Sequence, residues 1–244
     1  SIVGLLFIQA NLDITNYMNQ IYANITTAYN GTYSEQDIQH IIAYANARSI
    51  SIIPEIDSPG HARALIKAFP QILVDPNDHA EYFTTENYTD DALPVCTYET
   101  NISVGPQFSQ FYNQLYNNLN DLFKNQTTLY AIPNEISIGG DEVAPQTWYT
   151  PQNSSCQINT EFSGLNSLGK EQLFFKKFAA KNSNLIISGW QQFVQTDGNA
   201  LGTQIVSSNQ VGHVWIWNSS TAGATQALTL AEAGYPVVLD YSND

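Results

Sequence analysis

The chain has 244 residues, 43% of them hydrophobic, which is enough apolar material for a substantial core and too much for a disordered segment. Only 12% are charged, about half of the ~25% usual in soluble domains, and 8 Lys+Arg against 22 Asp+Glu leave a net charge of -14. No basic run exceeds Lys176-Lys177, so no nucleic-acid partner is expected and an anionic membrane surface is disfavoured; no stretch reaches the ~18 apolar residues of a membrane span.

Residues 2–8 form a strand-sized apolar run. A helix opens at Ser34, where Ser34-Glu35-Gln36-Asp37 has the pattern of a capping box and Ile38, Ile41, Ile42 and Ala45 recur at helical spacing; it should end near Arg48. Residues 51–56 are few and rich in Ile, which predicts a buried strand, broken by Ser58-Pro59-Gly60. Residues 62–69 return to a helical pattern. No period is sustained over residues 70–105, and a connection of that length is more often functional than idle. Phe108, Phe111, Tyr112, Leu115, Leu119 and Leu122 then line one face of a long helix, and residues 135–139 form a strand that Gly139-Gly140 interrupts. After a second long loop come a helix over 168–181, a strand over 185–188, a loop, a strand over 211–216, a helix over 221–233 and a strand over 237–239. Strands that are continuous apolar runs, alternating with helices, predict an α/β chain with a parallel sheet covered by helices. About five strands are visible where a closed (β/α)8 barrel needs eight, so an incomplete barrel and a doubly wound sheet both fit.

Asn, Gln, Ser, Thr and 14 Tyr supply the polarity, a surface suited to hydrogen-bonding sugars, although base composition alone can also enrich Asn. Seven Asn-X-Ser/Thr sequons begin at Asn24, Asn30, Asn87, Asn101, Asn125, Asn153 and Asn218. They point to a glycosylated chain of the secretory pathway, lysosomal or extracellular. Cys96 and Cys156 permit a single disulfide in such a compartment, with two buried thiols as the alternative. The start at Ser1 reads as a mature form or an excerpt of a longer chain.

The chemically capable residues fall at the carboxyl ends of predicted strands: Asp57, the adjacent Asp141 and Glu142, Trp190 and Trp217. In parallel α/β proteins ligands bind at that end. Adjacent carboxylates cannot face each other across a scissile glycosidic bond at the ~5 to 9.5 Å of ordinary glycosidases, so one of them must serve another purpose. Alternatively, Asp141 caps a helix and Glu142 lies in its first turn. Trp190 and Trp217 are candidate pocket walls, whereas Trp148 and Trp215 are assigned to the core. His61 follows Ser58-Pro59-Gly60 at the same end and is placed to bond and tune a carboxylic acid; His40, His79 and His213 have no such context. No zinc-ligand spacing, phosphate loop or Gly-x-Ser-x-Gly elbow occurs, so neither a metal nor a cofactor is expected.

The blocks at residues 31–34 (Gly-Thr-Tyr-Ser), 53–64 (Ile-Pro-Glu-Ile-Asp-Ser-Pro-Gly-His-Ala-Arg-Ala) and 138–143 (Ile-Gly-Gly-Asp-Glu-Val) resemble family 20 glycoside hydrolases, the β-N-acetylhexosaminidases; the segments at 73–76, 93–96 and 188–191 are similar to its chitobiase branch. The resemblance implies a (β/α)8 barrel and exo-hydrolysis of terminal, non-reducing β-linked N-acetylglucosamine or N-acetylgalactosamine, with the sugar's own acetamido oxygen as nucleophile. It implies Glu142 as general acid/base, Asp141 as the carboxylate that orients the acetamido group, His61 as the catalytic Glu's hydrogen-bond partner with Asp57 nearby, and Trp190 and Trp217 around the sugar. Cys96 and Cys156 look like the half-cystines of chitobiases. An N-acetylhexosamine-containing oligosaccharide or glycoconjugate is the expected partner, and a homodimer is allowed. The family's early strand with a sugar-binding Arg, its Asp-Asp-Gln segment and its closing Tyr-x-Asp and Trp-Glu have no aligned counterpart. Residues 1–30 therefore stay unassigned, 31–244 are expected to form an incomplete barrel lacking its first strands and its last, and a catalytically impaired sugar-binding fragment is the alternative function. A nucleotide-cyclase reading of Gly139-Gly140-Asp141-Glu142-Val143 leaves the block at 53–64 unexplained.

Overall fold

The first regular element among the described residues, α1 (Glu35–Asn46), begins at the predicted capping box: Asp37 N donates to Ser34 Oγ at 3.1 Å and Ser34 N to Asp37 Oδ2 at 2.8 Å. Ile38, Ile42 and Ala45 are buried one turn apart, while Ile41 faces solvent and the helix stops two residues short of Arg48. The computed structural model describes residues 33–129, 131–149, 154–195, 205–217 and 221–240. The run at 2–8, the unassigned segment 1–30 and the sequons at Asn24, Asn30, Asn153 and Asn218 lie outside the described residues.

Among the described residues five strands form one parallel sheet: β1 (Glu55–Ser58), β2 (Glu135–Gly139), β3 (Ile186–Trp190), β4 (Val211–Trp217) and β5 (Val237–Asp240). Their order in the sheet is their order in the chain. A doubly wound sheet reverses direction at a switch point, and this one does not, so the fold is the arc of a (β/α) barrel, to which the described residues contribute five of the eight strands that closure needs. β1 starts later than predicted and runs through Asp57 to Ser58. Pro54 has no N–H to donate, and Ile52 spends both backbone groups on the side chain of Gln126, whose Oε1 accepts at 2.6 Å and whose Nε2 donates at 2.6 Å.

Between β1 and β2 the chain forms α2 (Arg63–Ala68), α3 (Pro70–Leu73), a 3-10 turn over Val95–Thr97 and α4 (Gly105–Phe123); between β2 and β3 it forms α5 (Ser155–Ile158) and α6 (Ser167–Lys181); α7 (Thr221–Glu232) links β4 to β5. The rings of Phe108, Tyr112 and Tyr116 on α4 interlock with Phe174 and Phe178 on α6, with centroids 5.0–6.0 Å apart. Each such buried ring contributes on the order of 1.5–3 kcal/mol. Against these helices the sheet turns Ile136, Ile138, Ile187, Val214 and Ile216, all fully buried. Its other face carries Glu55, Asp57, Glu135, Ser137, Ser188, Trp190, His213 and Trp215, by the period of two along each strand.

That second face is held by a polar network. Ser137 Oγ donates to Glu55 Oε2 at 2.5 Å, Ser188 Oγ donates to Glu135 Oε1, His213 Nδ1 lies 2.6 Å from the same oxygen, and His213 N donates to Ser188 Oγ at 2.8 Å. Every member is partnered, which buried polar groups require.

Candidate active site

The carboxyl end of β1 is gripped from behind by α4. Tyr116 OH donates to Ile56 O at 2.6 Å, and the hydroxyls of Tyr112 and Tyr116 lie 2.7 and 3.0 Å from Ser58 Oγ. Beyond Ser58 the chain turns sharply, with His61 at φ 53°. The irregular segment after α3 closes over this turn: Leu93 N donates to Pro59 O and Ala62 N to Asp91 O, both at 2.8 Å, and Tyr82 OH accepts from the amides of Asp91 and Ala92. Asp90 pairs with Arg63 Nε at 2.7 Å and with Lys67. The long aperiodic connection is thus fastened to the block that carries His61, and it brings Glu86 to the site.

At the end of β2 two glycines turn the chain. Gly139 and Gly140 have φ 71° and 73°, and a Cβ on Gly139 would overlap the Asp57 carboxylate of the neighbouring strand. The next residues, Asp141 and Glu142, are thereby turned toward His61: its Nε2 lies 3.6 Å from Asp141 Oδ2 and 3.5 Å from Glu142 Oε2. Glu142, like His61, sits at φ 53°, a strained backbone of the kind that clusters at functional sites. Neither member of the carboxylate pair caps a helix.

Pairing with Asp141 holds the His61 imidazole protonated up to about 9; burial opposes this, and the charges of Asp141, Asp57 and Glu86 reinforce it. Burial pushes Asp57 up to about 7, with repulsion from Glu55 and Asp141 adding to it. The charge of Asp141 thus bears on both Asp57 and His61, in opposite directions.

The sheet register places Ser58 beside Gly139, Ser137 beside Ser188, and Trp190 beside Trp215. Trp190 is half-buried at the end of β3, and Trp217, 55% exposed, stands at the outer end of β4 beside Asp240. Trp148 is core, as expected, with Nε1 donating to Leu93 O at 2.8 Å. Trp215 is not: it shares the polar face with Trp190 and stacks on His213 at 5.9 Å, because its odd position in β4 points it away from the helices. Cys96 and Cys156 form a disulfide with Cα atoms 4.9 Å apart, joining the loops that follow β1 and β2.

Three groups went unmarked by sequence. Glu86 lies in a stretch without period. His213 is paired with Glu135 only through the neighbouring strands. Glu171 is buried on α6, in step with Phe174, Phe175 and Phe178 on one helical face, and that spacing was the available signal. His61, Glu86 and Glu142 each bring one ligand-type atom within 4.8 Å of the others, the one such trio among the described residues. A protonated imidazole offers no free lone pair to a cation, so the arrangement suits proton chemistry better than metal binding.

An arc of sequentially paired parallel strands, with an imidazole and adjacent carboxylates at its carboxyl edge, places the chain in the (β/α)-barrel class, with polar groups gathered at the end where such barrels bind ligands. The family described as "Glycosyl hydrolase family 20, catalytic domain" matches residues 10–243, and the chain belongs to it. That match reaches into the segment before residue 31. A β-hexosaminidase of Vibrio furnissii is 28% identical over 219 residues, covering 89% of this chain and 31% of the relative. The β subunit of a β-hexosaminidase of Felis catus is 25% identical, covering 85% of this chain and 34% of the relative. Among solved structures, an exo-β-N-acetylglucosaminidase of Vibrio harveyi in complex with N-acetylglucosamine superimposes with a TM-score of 0.64 at 27% identity, over 86% of this chain and 29% of that one. The chain thus spans about a third of the length of these relatives.

Proposed function

We propose that the chain is the catalytic part of an exo-acting β-N-acetylhexosaminidase. It removes terminal, non-reducing β-linked N-acetylglucosamine or N-acetylgalactosamine from an oligosaccharide or glycoconjugate. One observation carries this reading: a single imidazolium lies 3.5–3.6 Å from both of two adjacent carboxylates at the carboxyl edge of the sheet. Neighbouring residues cannot attack from opposite faces of a sugar, and family 20 is one in which the substrate's own acetamido group serves as nucleophile.

Glu142, the more exposed of the pair, gives its proton to the glycosidic oxygen as the bond to C1 breaks, while the 2-acetamido oxygen bonds to C1 from the other face. Asp141 accepts the acetamido N–H and offsets the positive charge of the oxazolinium ion so formed. Glu142, now a carboxylate, takes a proton from water as the water oxygen attacks C1, which restores the acetamide and retains the configuration. His61 steadies the anion left on Glu142, Asp57 supports His61 from deeper in the site, and Trp190 and Trp217 form walls for the sugar.

Nitrophenyl β-N-acetylglucosaminide and β-N-acetylgalactosaminide, with the β-glucoside as control, test the reading. Release from the N-acetylated sugars alone is expected, and Glu142→Gln should lower kcat by about 10²- to 10⁴-fold. Full activity in that variant overturns the assignment, and binding without hydrolysis favours the impaired sugar-binding form. The disulfide and the exposed sequons at Asn87, Asn101 and Asn125 support residence in the secretory pathway, with a lysosomal or extracellular destination.

A further inference from the structure

Ser58, 1% exposed, is where the two strands that lead into the site are joined at their carboxyl ends. Its carbonyl accepts from Gly140 N at 3.1 Å and its hydroxyl donates to Ile138 O at 3.2 Å, so one residue of β1 holds β2 on either side of Gly139. Three residues beyond Ser58 stands His61, and one beyond Gly140 stands Asp141. The two turns touch: a Cβ on Gly60 would come 3.2 Å from Asp141 O and 3.4 Å from Val143 Cγ2. The spacing of 3.5–3.6 Å between His61 and the two carboxylates therefore depends on where Ser58 is set.

Two hydroxyls of α4 set it. Tyr116 gives its proton to Ile56 O at 2.6 Å, and the Ser58 proton has Ile138 O and, 3.0 Å away, the Tyr116 oxygen as acceptors. The proton in the 2.7 Å contact between Tyr112 and Ser58 then comes from Tyr112. Both tyrosines are fully buried, and burial holds their hydroxyls above the ordinary phenol range, so they stay donors at working pH. Packing alone does not call for these hydroxyls, since Phe108, Phe174 and Phe178 fill the same layer without one, and a buried hydroxyl is costly unless bonded. We propose that Ser58, held by Tyr112 and Tyr116, is a positioning residue that fixes His61 against Asp141 and Glu142. Its bearing on catalysis rests on the roles given to those three residues above.

Titration of the His61 imidazole by NMR tests the placement without turnover. It should titrate at about 9 in the unaltered chain and fall toward 6.5 in Ser58→Ala, because pairing with Asp141 is the main cause that holds it up. The carboxylates that face it, Asp57, Glu86, Asp141 and Glu142, are all retained in that variant. Tyr112→Phe keeps the ring, removes the donor and should shift the titration the same way by less; it decides alone if Ser58→Ala does not fold. In kinetics Ser58→Ala should lower kcat about 10- to 100-fold, the scale of a catalytic group misplaced by up to about 1 Å, with KM changed less than about twofold. Adding Tyr112→Phe to Ser58→Ala should lower kcat no further, since the two act through one contact. Tyr98→Phe is the control: it removes the hydroxyl that donates to Asn113 Oδ1 at 2.6 Å in the same buried layer, and should cost stability while leaving kcat and the His61 titration as they were. A titration unmoved in the folded variants, or moved as far by Tyr98→Phe, overturns the proposal. A chain in which it moves as expected but which hydrolyses nothing leaves the positioning of His61 standing and overturns the reading of the activity.

Discussion

His61 keeps its proton to about pH 9 in the folded chain against an ordinary value of 6.5, chiefly by pairing with Asp141. Its contribution to stability is therefore complete below about pH 6.5 and is lost as pH rises through about 9. Asp57 acts in the same direction for the opposite reason. Burial raises it from 3.8 to about 7, so the folded state resists ionisation and loses stability as pH climbs across that interval. Thermal unfolding should accordingly show a lower midpoint at pH 9 than at pH 6, with the difference reduced in His61→Gln. A midpoint that rises over that range would contradict the charge arrangement described here. At this scale the clustering of Asp57, His61, Asp141 and Glu142 was legible, because they sit in two short blocks at the ends of adjacent strands. Glu171 was not, since a Glu within a helix looks solvated until the packing on both sides is known.

At the scale of elements, periodicity located α1, α4 and α6 well and misplaced β1. The difference is physical: helices satisfy their own backbone and carry their signal locally, whereas the start of a strand depends on what pairs with it. Residues 51–54 have the composition of a strand, but the side chain of Gln126 takes the backbone groups of Ile52, and pairing begins only at Glu55. The end of β2 is equally contextual. Gly139 must combine a positive φ with room for the Asp57 carboxylate, so Gly139→Ala should cost at least about 1–3 kcal/mol in urea unfolding and displace Asp57 from His61. A variant of wild-type stability with His61 titrating as before would show that the space beside Gly139 is not needed.

Across the whole molecule, the disulfide ties the loop after β1 to the loop after β2, closing a span of 60 residues and bracketing the strand that leads into Asp141. Chain entropy puts such a link at about 4 kcal/mol. Protein from its native host should lose about 2–4 kcal/mol on reduction or in Cys96→Ser/Cys156→Ser, and should lose mass when N-glycans are removed enzymatically; insensitivity to reductant together with unchanged mass would argue against the secretory setting.

By itself the sequence determined the alternation of strands and helices and the placing of Asp57, His61, Asp141 and Glu142 at the carboxyl edge of the sheet, because hydrophobic period and short blocks of fixed residue types are local properties. Only the tertiary structure decided between a barrel arc and a doubly wound sheet, since that choice is the order of strands in space. It also decided that Trp215 faces Trp190 rather than the core, that the aperiodic loop delivers Glu86, and that Glu171 is buried beside Gly140. Each of these is a contact between residues far apart in the chain, and no local pattern encodes the partner.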